Sequence, residues 1–166
     1  MINESNVQSG LVTGRMYDRA MKLIEDAGYN VQTDSIAWGN YRDAPVTGIT
    51  EYSTDYGATW TAITSTTKGT TTRWLLKTGH TDYTKAKNIY DLAGNLWEWT
   101  NEESNAFRVA RGCFYGDWTT GSPAAYRGRY HAVNDLFYYI GFRVRTLPQV
   151  ASLWKAKVDL RMESKC

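Results

Sequence analysis

The chain has 166 residues, of which 42% are hydrophobic, and a formal net charge of +2. This length is enough for one domain with a hydrophobic core, and the small charge gives no electrostatic reason to expect nucleic acid as a partner. No run approaches the roughly 20 apolar residues of a membrane span, so we expect no membrane insertion. Two cysteines, Cys113 and Cys166, are too few for a disulfide framework.

The clearest predicted element is a helix over residues 13–27. Thr13 can cap its start and Gly28 can close its end. Apolar residues recur inside it at the helical period, at Tyr17, Ala20, Met21, Ile24 and Ala27.

Beyond this helix the sequence predicts short strands joined by irregular segments. Residues 49–79 are rich in threonine and aromatic residues, which favour strands, although 61–73 could also form a mobile loop. The stretches FRVARG and YIGFRVR, within 105–146, are further strand candidates. The segment WKAKVDLRME (154–163) alternates apolar and charged residues, so it could form a strand or an arm that pairs with another copy. The predicted class is α+β, irregular, with short antiparallel strands and one helix.

The stretch NIYDLAGNLWEWTNE (88–102) places Asp91 and Glu98 among leucines and tryptophans. Burying a carboxylate beside indole rings is costly unless a partner neutralises it. The sequence therefore predicts either a turn with a solvated edge or a pair of acids that hold a counter-charge.

Four stretches in order, NIYDLAGNLWEWTNE, RVARG, AAYRGRY and IGFRV, resemble the formylglycine-generating (sulfatase-modifying) family. Its signature combines Tyr-Asp-hydrophobic-x-Gly-Asn-x-Trp-Glu-Trp, Arg-Gly-Gly and Gly-Phe-Arg, and the resemblance covers about residues 8–146. It implies a C-type-lectin-like domain over 1–146, with 147–166 as a C-terminal extension. The family contains oxidases and also non-catalytic variable proteins of diversity-generating retroelements.

The resemblance implies that a catalytic member would bind copper through two cysteines after the Arg-Gly-Gly element. Those positions are Asp117 and Ser122 here, and neither supplies the thiolate that Cu(I) requires, so no copper is expected. Cys113 and His131 could be considered a nucleophile and base, but a buried thiol and a surface imidazole are the simpler interpretation. We therefore expect no enzyme activity.

Residues 111–137 combine aromatic side chains with small and polar ones, a composition typical of antibody-like binding surfaces. The alternative is that these rings fill the core. In the retroelement proteins, mutagenesis at template adenines varies the surface just before Gly-Phe-Arg. The residues predicted to form this ligand-binding face are Cys113, Phe114, Tyr115, Asp117, Trp118, Thr119, Gly128, Tyr130, His131, Val133, Asn134, Leu136 and Phe137.

The resemblance also implies a structural Ca²⁺ ion at the acid-bearing loop, held by the side chains of Asp91 and Glu98 and the carbonyls of Gly94 and Leu96. Mixed carboxylate and carbonyl oxygens suit this cation. The alternative is that Glu98 accepts hydrogen bonds from Arg111 or Arg143. Under both interpretations Trp97 and Trp99 belong to the core and Asn95 bonds the loop backbone.

The sequence as a whole predicts a non-catalytic ligand-binding protein with a diversified aromatic face. Its expected setting is a phage virion or bacterial cell surface, reached without a signal peptide, and its expected partner is a protein or glycan on a host or target cell. Three alternatives remain: a fixed structural module of a phage tail or surface protein, a copper-dependent oxidase, and a carbohydrate-binding lectin. The usual calcium-lectin motifs Glu-Pro-Asn and Gln-Pro-Asp are absent.

Overall fold

The computed structural model describes residues 7–64, 67–130 and 137–148. By contacts the chain divides into two compact units, one of residues 1–11 with 144–166 and one of residues 12–143. The predicted boundary at 146 stays a prediction, and the predicted arm at 154–163 lies outside the described residues. Among the described residues, no helix combines the length and apolar character needed to cross a membrane.

The larger unit begins with the helix α1, Gly14–Glu25. The Thr13 side chain accepts a hydrogen bond from the backbone N–H of Met16 (3.2 Å), so this threonine caps the helix as predicted. Gly28 adopts a positive φ of 92°, which ends the helical path. The predicted apolar face is also confirmed, because Tyr17, Met21 and Ile24 are buried. A helix of twelve residues is only marginally stable by itself in water, so the burial of this face explains its stability here.

The main sheet of this unit has four strands, β6 (Trp97–Ser104), β7 (Phe107–Arg111), β8 (Arg127–Tyr130) and β9 (Ile140–Phe142). Across the sheet they lie in the order β8, β7, β6, β9. Strand β6 runs antiparallel to β7 and parallel to β9, and β7 runs antiparallel to β8. The predicted FRVARG strand is thereby confirmed. This register pairs Glu98 with Arg111 on one side and with Gly141 on the other.

Two pairs of very short strands complete the larger unit. The first pairs β2 (Glu51–Tyr52) with β3 (Thr61–Ala62), and the second pairs β4 (Lys85–Ala86) with β5 (Ile89–Tyr90). Most of segment 31–96 is therefore irregular. The described residues form a mixed α+β structure with one α-helix and small, mainly antiparallel sheets, which agrees with the predicted class.

The smaller unit contains a two-stranded antiparallel ribbon. Strand β1 (Val7–Leu11) pairs with β10 (Val144–Pro148), with Val7 opposite Pro148 and Leu11 opposite Val144. The predicted strand YIGFRVR thus divides, because its first part is β9 of the larger unit and its second part is β10 of the ribbon.

Two buried asparagines organise the irregular region. The Asn95 side chain accepts from Leu76 N and donates to Leu76 O, both at 3.0 Å, so it pairs with the backbone as a strand would. Asn40 donates to the same Asn95 side chain (3.0 Å), and its carbonyl accepts from Asn95 N. Gly94 lies so close that a Cβ there would clash with the backbone of Asn40. The sequence predicted that Asn95 bonds the backbone of its own loop, whereas its side chain bonds the backbone of Leu76. The close approach of Asn40 explains the need for glycine at 94.

Candidate functional site

The described residues form an aromatic groove of about 730 Å³. This volume is in the range of small-molecule and peptide sites, roughly 300–1,000 Å³. Three separate chain segments (54–56, 71–74 and 114–115) and two single residues, Arg42 and Tyr139, supply its walls. The lining residues are Arg42, Thr54, Tyr56, Thr71, Thr72, Arg73, Trp74, Phe114, Tyr115 and Tyr139.

The wall at 113–119 is a tight turn held by its own polar groups. The Asp117 carboxylate accepts from Phe114 N (3.2 Å), and Phe114 O accepts from Asp117 N (3.0 Å). Tyr115 N donates to Asn95 O (3.1 Å), which ties the turn to the asparagine pair beneath it. Burial raises the pKa of Asp117. The turn therefore places Phe114 and Tyr115 in the groove with a fixed backbone.

A second wall is joined to this turn through residues 42 and 43. Arg42 N donates to Asp117 O (2.9 Å), and the Arg42 guanidinium lies 4.8 Å from the ring centre of Trp118, a cation–π distance. The Asp43 carboxylate accepts from both Thr119 Oγ1 (2.8 Å) and Thr119 N (3.2 Å). These contacts fix Arg42 beside the aromatic turn.

The buried side chain of Lys68 connects the segment that carries Arg42 with the segment 71–74. Only 1% of its surface is exposed, and its ammonium donates to the carbonyls of Tyr41, Arg42 (3.5 Å) and Thr72 (3.1 Å). Burial lowers the pKa of Lys68 to about 8, although the charge of Asp43 opposes this shift. The lysine therefore acts as an internal clamp between the segments that carry the two groove arginines.

The rings of the groove pack against one another. Phe114 lies 5.3 Å from Tyr115 in an edge contact and 5.1 Å from Tyr139, whose ring is 5.4 Å from Phe137. On the opposite wall, Trp74 stacks on Tyr52 at 4.0 Å. Such pairs add to the free energy of burial and hold the rings in place.

Exposed rings continue the aromatic surface beyond the groove itself. Tyr138 is 78% exposed and packs at 5.4 Å against Tyr56 of the groove wall, and Trp118 is 45% exposed over Arg42. We call these two residues the rim rings. Exposed aromatic rings beside a concave site are typical of a binding surface.

The structure brings part of the predicted ligand-binding face together in this groove. Phe114 and Tyr115 line it, Trp118 is at its rim, and Phe137 contacts its ring cluster. Asp117 supports the turn rather than lining the groove.

The other predicted face residues cannot be placed at the groove. Tyr130 is in strand β8, where only its backbone is described. His131, Val133, Asn134 and Leu136 lie outside the described residues, so their placement stays a prediction.

Three predicted face residues require correction because they are buried outside the groove. Cys113 has no exposed surface and its thiol points to the carbonyl of Pro123 (3.6 Å). Thr119 is buried by its hydrogen bonds to Asp43. Gly128 is buried in strand β8 opposite Ala110. Tyr115 also differs from expectation, since it is only 4% exposed and forms a wall, not a projecting side chain.

The sequence prediction missed most of the opposite wall. Arg42 follows the stretch WGNY, and Thr54, Tyr56 and residues 71–74 belong to a threonine-rich region with no distinctive motif. A weak signal existed at Trp74 and Tyr56, because large aromatic residues in a polar segment indicate packing or binding. Tyr139 was also missed, although it is adjacent to the predicted Phe137.

The acid-bearing loop forms a second, smaller cavity of about 70 Å³ lined by Asp91, Glu98 and Arg143 among others. Both oxygens of Glu98 accept from Arg143, Oε2 from Nε (3.0 Å) and Oε1 from Nη2 (2.5 Å). Burial raises the pKa of Glu98 against the opposing effect of Arg143. This is the counter-charge alternative, with Arg143 and not Arg111 as the partner.

Asp91, another predicted calcium ligand, lines the same cavity as this ion pair. Asp91 Oδ2 accepts from Gly79 N (2.7 Å), while Oδ1 is buried without a hydrogen-bond partner among the described residues. Burial also raises the pKa of Asp91, against the opposing effect of the Gly79 N–H. Arg143 donates to both oxygens of Glu98, one of the four predicted ligands, which are Asp91, Gly94, Leu96 and Glu98. The Ca²⁺ site therefore stays a prediction for titration to test.

Cys113 was the single thiol near the expected copper positions. Burial raises the pKa of this thiol well above its usual range, with the charge of Asp117 adding to the effect. Such a thiol is a poor nucleophile because it does not ionise at neutral pH. Cys113 also adopts a positive φ of 65°, a conformation that explains why the resembled motif has glycine there.

Comparison with known proteins found no matching family model, no matching curated protein and no matching solved structure.

Proposed function

We propose that the protein is a non-catalytic ligand-binding protein whose binding site is the aromatic groove. The single observation that carries this proposal is a concave site of about 730 Å³ that combines five aromatic residues, two arginines and three threonines. Tyr, Trp and Arg are the side chains that dominate binding energy at protein interfaces. The clamp by Lys68 and the turn at 113–117 support a preformed site, which lowers the ordering cost of binding.

We further propose that the scaffold is a C-type-lectin-like domain whose face is diversified by a retroelement. The resemblance of the four motifs supports this, as does the contribution of Phe114, Tyr115, Trp118 and Phe137 to the groove and its surroundings. The protein would then act on a phage virion or bacterial cell surface. Sequencing the gene's neighbourhood tests the proposal, and a near-copy of the region coding for 111–143 beside a reverse transcriptase gene is the expected result.

A fixed structural module would show the same fold without such a copy. A copper-dependent oxidase is disfavoured because Asp117 is occupied in the turn and Ser122 supplies no thiolate. The test is incubation of the copper-treated protein with a cysteine-containing sulfatase peptide, followed by mass spectrometry. We expect no loss of the thiol. Conversion of that cysteine to an aldehyde would refute the non-catalytic assignment.

A further inference from the structure

The two arginines of the aromatic groove have no acidic partner in the part of the chain that the structure describes. Among the described residues, neither Arg42 nor Arg73 forms an ion pair, whereas Arg111, Arg127 and Arg143 all do. The Nε–H of Arg42 is also shielded from water and has no acceptor among those residues. Buried donors of this kind are normally satisfied, so the free Nε–H of Arg42, beside the cation–π contact of its guanidinium with Trp118, indicates a ligand at this concave site.

The lining of the groove is positively charged. No Asp, Glu, Asn or Gln side chain occurs among the described residues that line it. The nearby carboxylates keep their charge, but their oxygens accept hydrogen bonds from the fold and not from the two groove arginines, since Asp43 holds Thr119, Asp117 holds the turn, and Asp55 accepts from Ser53 and Thr59. The ammonium of Lys68 adds a third positive charge beneath the groove. The lining therefore offers hydrogen-bond donors to a carboxylate, and few acceptors other than the hydroxyls of its threonines and tyrosines.

The same donor bias argues for a peptide over a sugar. Sugar hydroxyls need acceptors as well as donors, which carboxylate and amide side chains normally supply. Here the polar lining consists of guanidinium and hydroxyl groups, interleaved with rings that are packed on each other. The rim rings extend this surface beyond what one sugar unit would cover. Aromatic rings with arginine are the composition of protein-binding hot spots.

We propose that the groove binds an acidic peptide segment of a partner protein, with its carboxylates at Arg42 and Arg73 and its apolar side chains against the rings. This inference rests on the proposed function and names the ligand class for the same site. Guanidinium groups bind carboxylates through paired, charge-assisted hydrogen bonds, so the charge of the segment sets its specificity.

The test uses three probes with the full chain. A fluorescent hexapeptide of alternating glutamate and tyrosine is titrated by anisotropy, together with the matched peptide that has glutamine for glutamate. Tetragalacturonic acid, an acidic sugar, serves as a competitor. We expect the glutamate peptide to bind about tenfold or more tightly than the glutamine peptide, since each lost charged contact is worth at least that much.

Three variants are compared with the unmodified protein. They are the double variant Arg42→Gln/Arg73→Gln, the single variant Arg73→Gln, and the control variant Arg19→Gln. Arg19 is an exposed arginine of α1 without an ion pair among the described residues, so its loss should leave binding unchanged. The double variant should lose the preference for glutamate while keeping its melting temperature. The Arg73 side chain has no internal polar partner among the described residues, so the single variant Arg73→Gln should fold even if the double variant does not. It should lose part of the preference for glutamate.

Each other outcome overturns the inference. Equal binding of the two peptides would show that the groove does not read charge, and would leave the proposed function intact. Preference for glutamate that survives in the double variant would place the site elsewhere. Tighter binding of tetragalacturonic acid than of the glutamate peptide would identify an acidic sugar as the ligand class. Failure of every probe to bind would refute the acidic-peptide proposal, whereas the genomic test of the proposed function would be unaffected.

Discussion

The carboxylate of Glu98, a residue between Trp97 and Trp99 in the sequence, can be buried because Arg143 donates to both of its oxygens. The pair is mostly buried, with 13% of the Glu98 side chain and 31% of the Arg143 side chain exposed. Removing one member of such a pair leaves the other charge buried without compensation, which costs more than the pair itself contributes. The two residues should therefore behave as a unit.

Arg143→Met should destabilise the protein by about 2–4 kcal/mol, and adding Glu98→Gln should restore part of that loss. Arg108→Met is the matched control, because Arg108 pairs with Glu103 at the surface and should cost less than about 1 kcal/mol. Chemical denaturation measures all four proteins. If CaCl₂ stabilises the unmodified protein in the same assay, a cation site exists at this loop and the arginine account is incomplete.

Tyr115 lines the groove and is also buried like a core residue, so a substitution there changes folding stability as well as the groove. Tyr115→Ala should cost about 2–4 kcal/mol because it leaves a cavity beside Phe114. Tyr115→Phe should keep the free energy of unfolding within about 1 kcal/mol, since the ring remains. Trp118→Ala serves as the exposed control and should cost less than Tyr115→Ala. A Tyr115→Ala protein as stable as the parent would show that the ring is not buried in solution.

At the scale of elements, the groove depends on irregular segments that a buried lysine joins. The ammonium of Lys68 satisfies carbonyl groups of two segments that are far apart in sequence. The depressed pKa, about 8 against an ordinary value of 10.5, means that the unfolded chain binds this proton more tightly than the folded chain does. Stability should therefore rise as the pH rises from 8 to about 10.5, and fall as the pH returns to 8.

The unmodified protein should gain about 1–2 kcal/mol relative to a Lys68→Met variant between pH 8 and 9.5, because each unit of pKa shift is worth about 1.4 kcal/mol. Chemical denaturation at several pH values measures the difference, in which the titration of tyrosines cancels. Lys87→Met, at an exposed lysine, is the control and should follow the unmodified protein. Parallel profiles for the unmodified protein and Lys68→Met would contradict the buried-amine account.

The elements that the sequence predicted best are those with local signals. Helix α1 was predicted because its apolar residues follow the helical period, and Thr13 and Gly28 mark its ends. Strand β7 was predicted from the stretch FRVARG. Local sequence patterns are therefore enough for these two elements. The side chain of Asn95, by contrast, pairs with the backbone of Leu76, a long-range contact that its own loop does not reveal.

The groove could not be predicted, because its walls meet only through long-range contacts. Arg42 is fixed by Asp117, and Lys68 reaches back to residue 41, and neither contact leaves a periodic pattern in the sequence. Cys113 was wrongly placed on the face for a related reason. Its position replaces a motif glycine, and a glycine required at positive φ in a tight turn marks close backbone packing. That signal argued for burial, which the structure shows.

At the scale of the whole molecule, the proposed function requires a well-packed interior beneath a surface that can vary. The interior consists of large, fully buried side chains, among them Tyr17, Trp38, Trp97 and Arg111. The surface proposed to vary consists of the rim rings with Phe114 and Phe137, which contact the groove but contribute less to the core. Folding stability of a domain is only about 5–15 kcal/mol, so interior positions leave little room for change.

The most direct test of this separation compares two displayed libraries for resistance to protease. One library randomises Phe114, Trp118, Phe137 and Tyr138, and the other randomises Tyr17, Ile24, Trp38 and Trp97. We expect most members of the first library to remain folded, and only a few per hundred of the second, because each large-to-small change in the interior costs roughly 3–5 kcal/mol. Equal loss of folded protein in the two libraries would contradict the claim that an aromatic binding surface can vary independently of the fold.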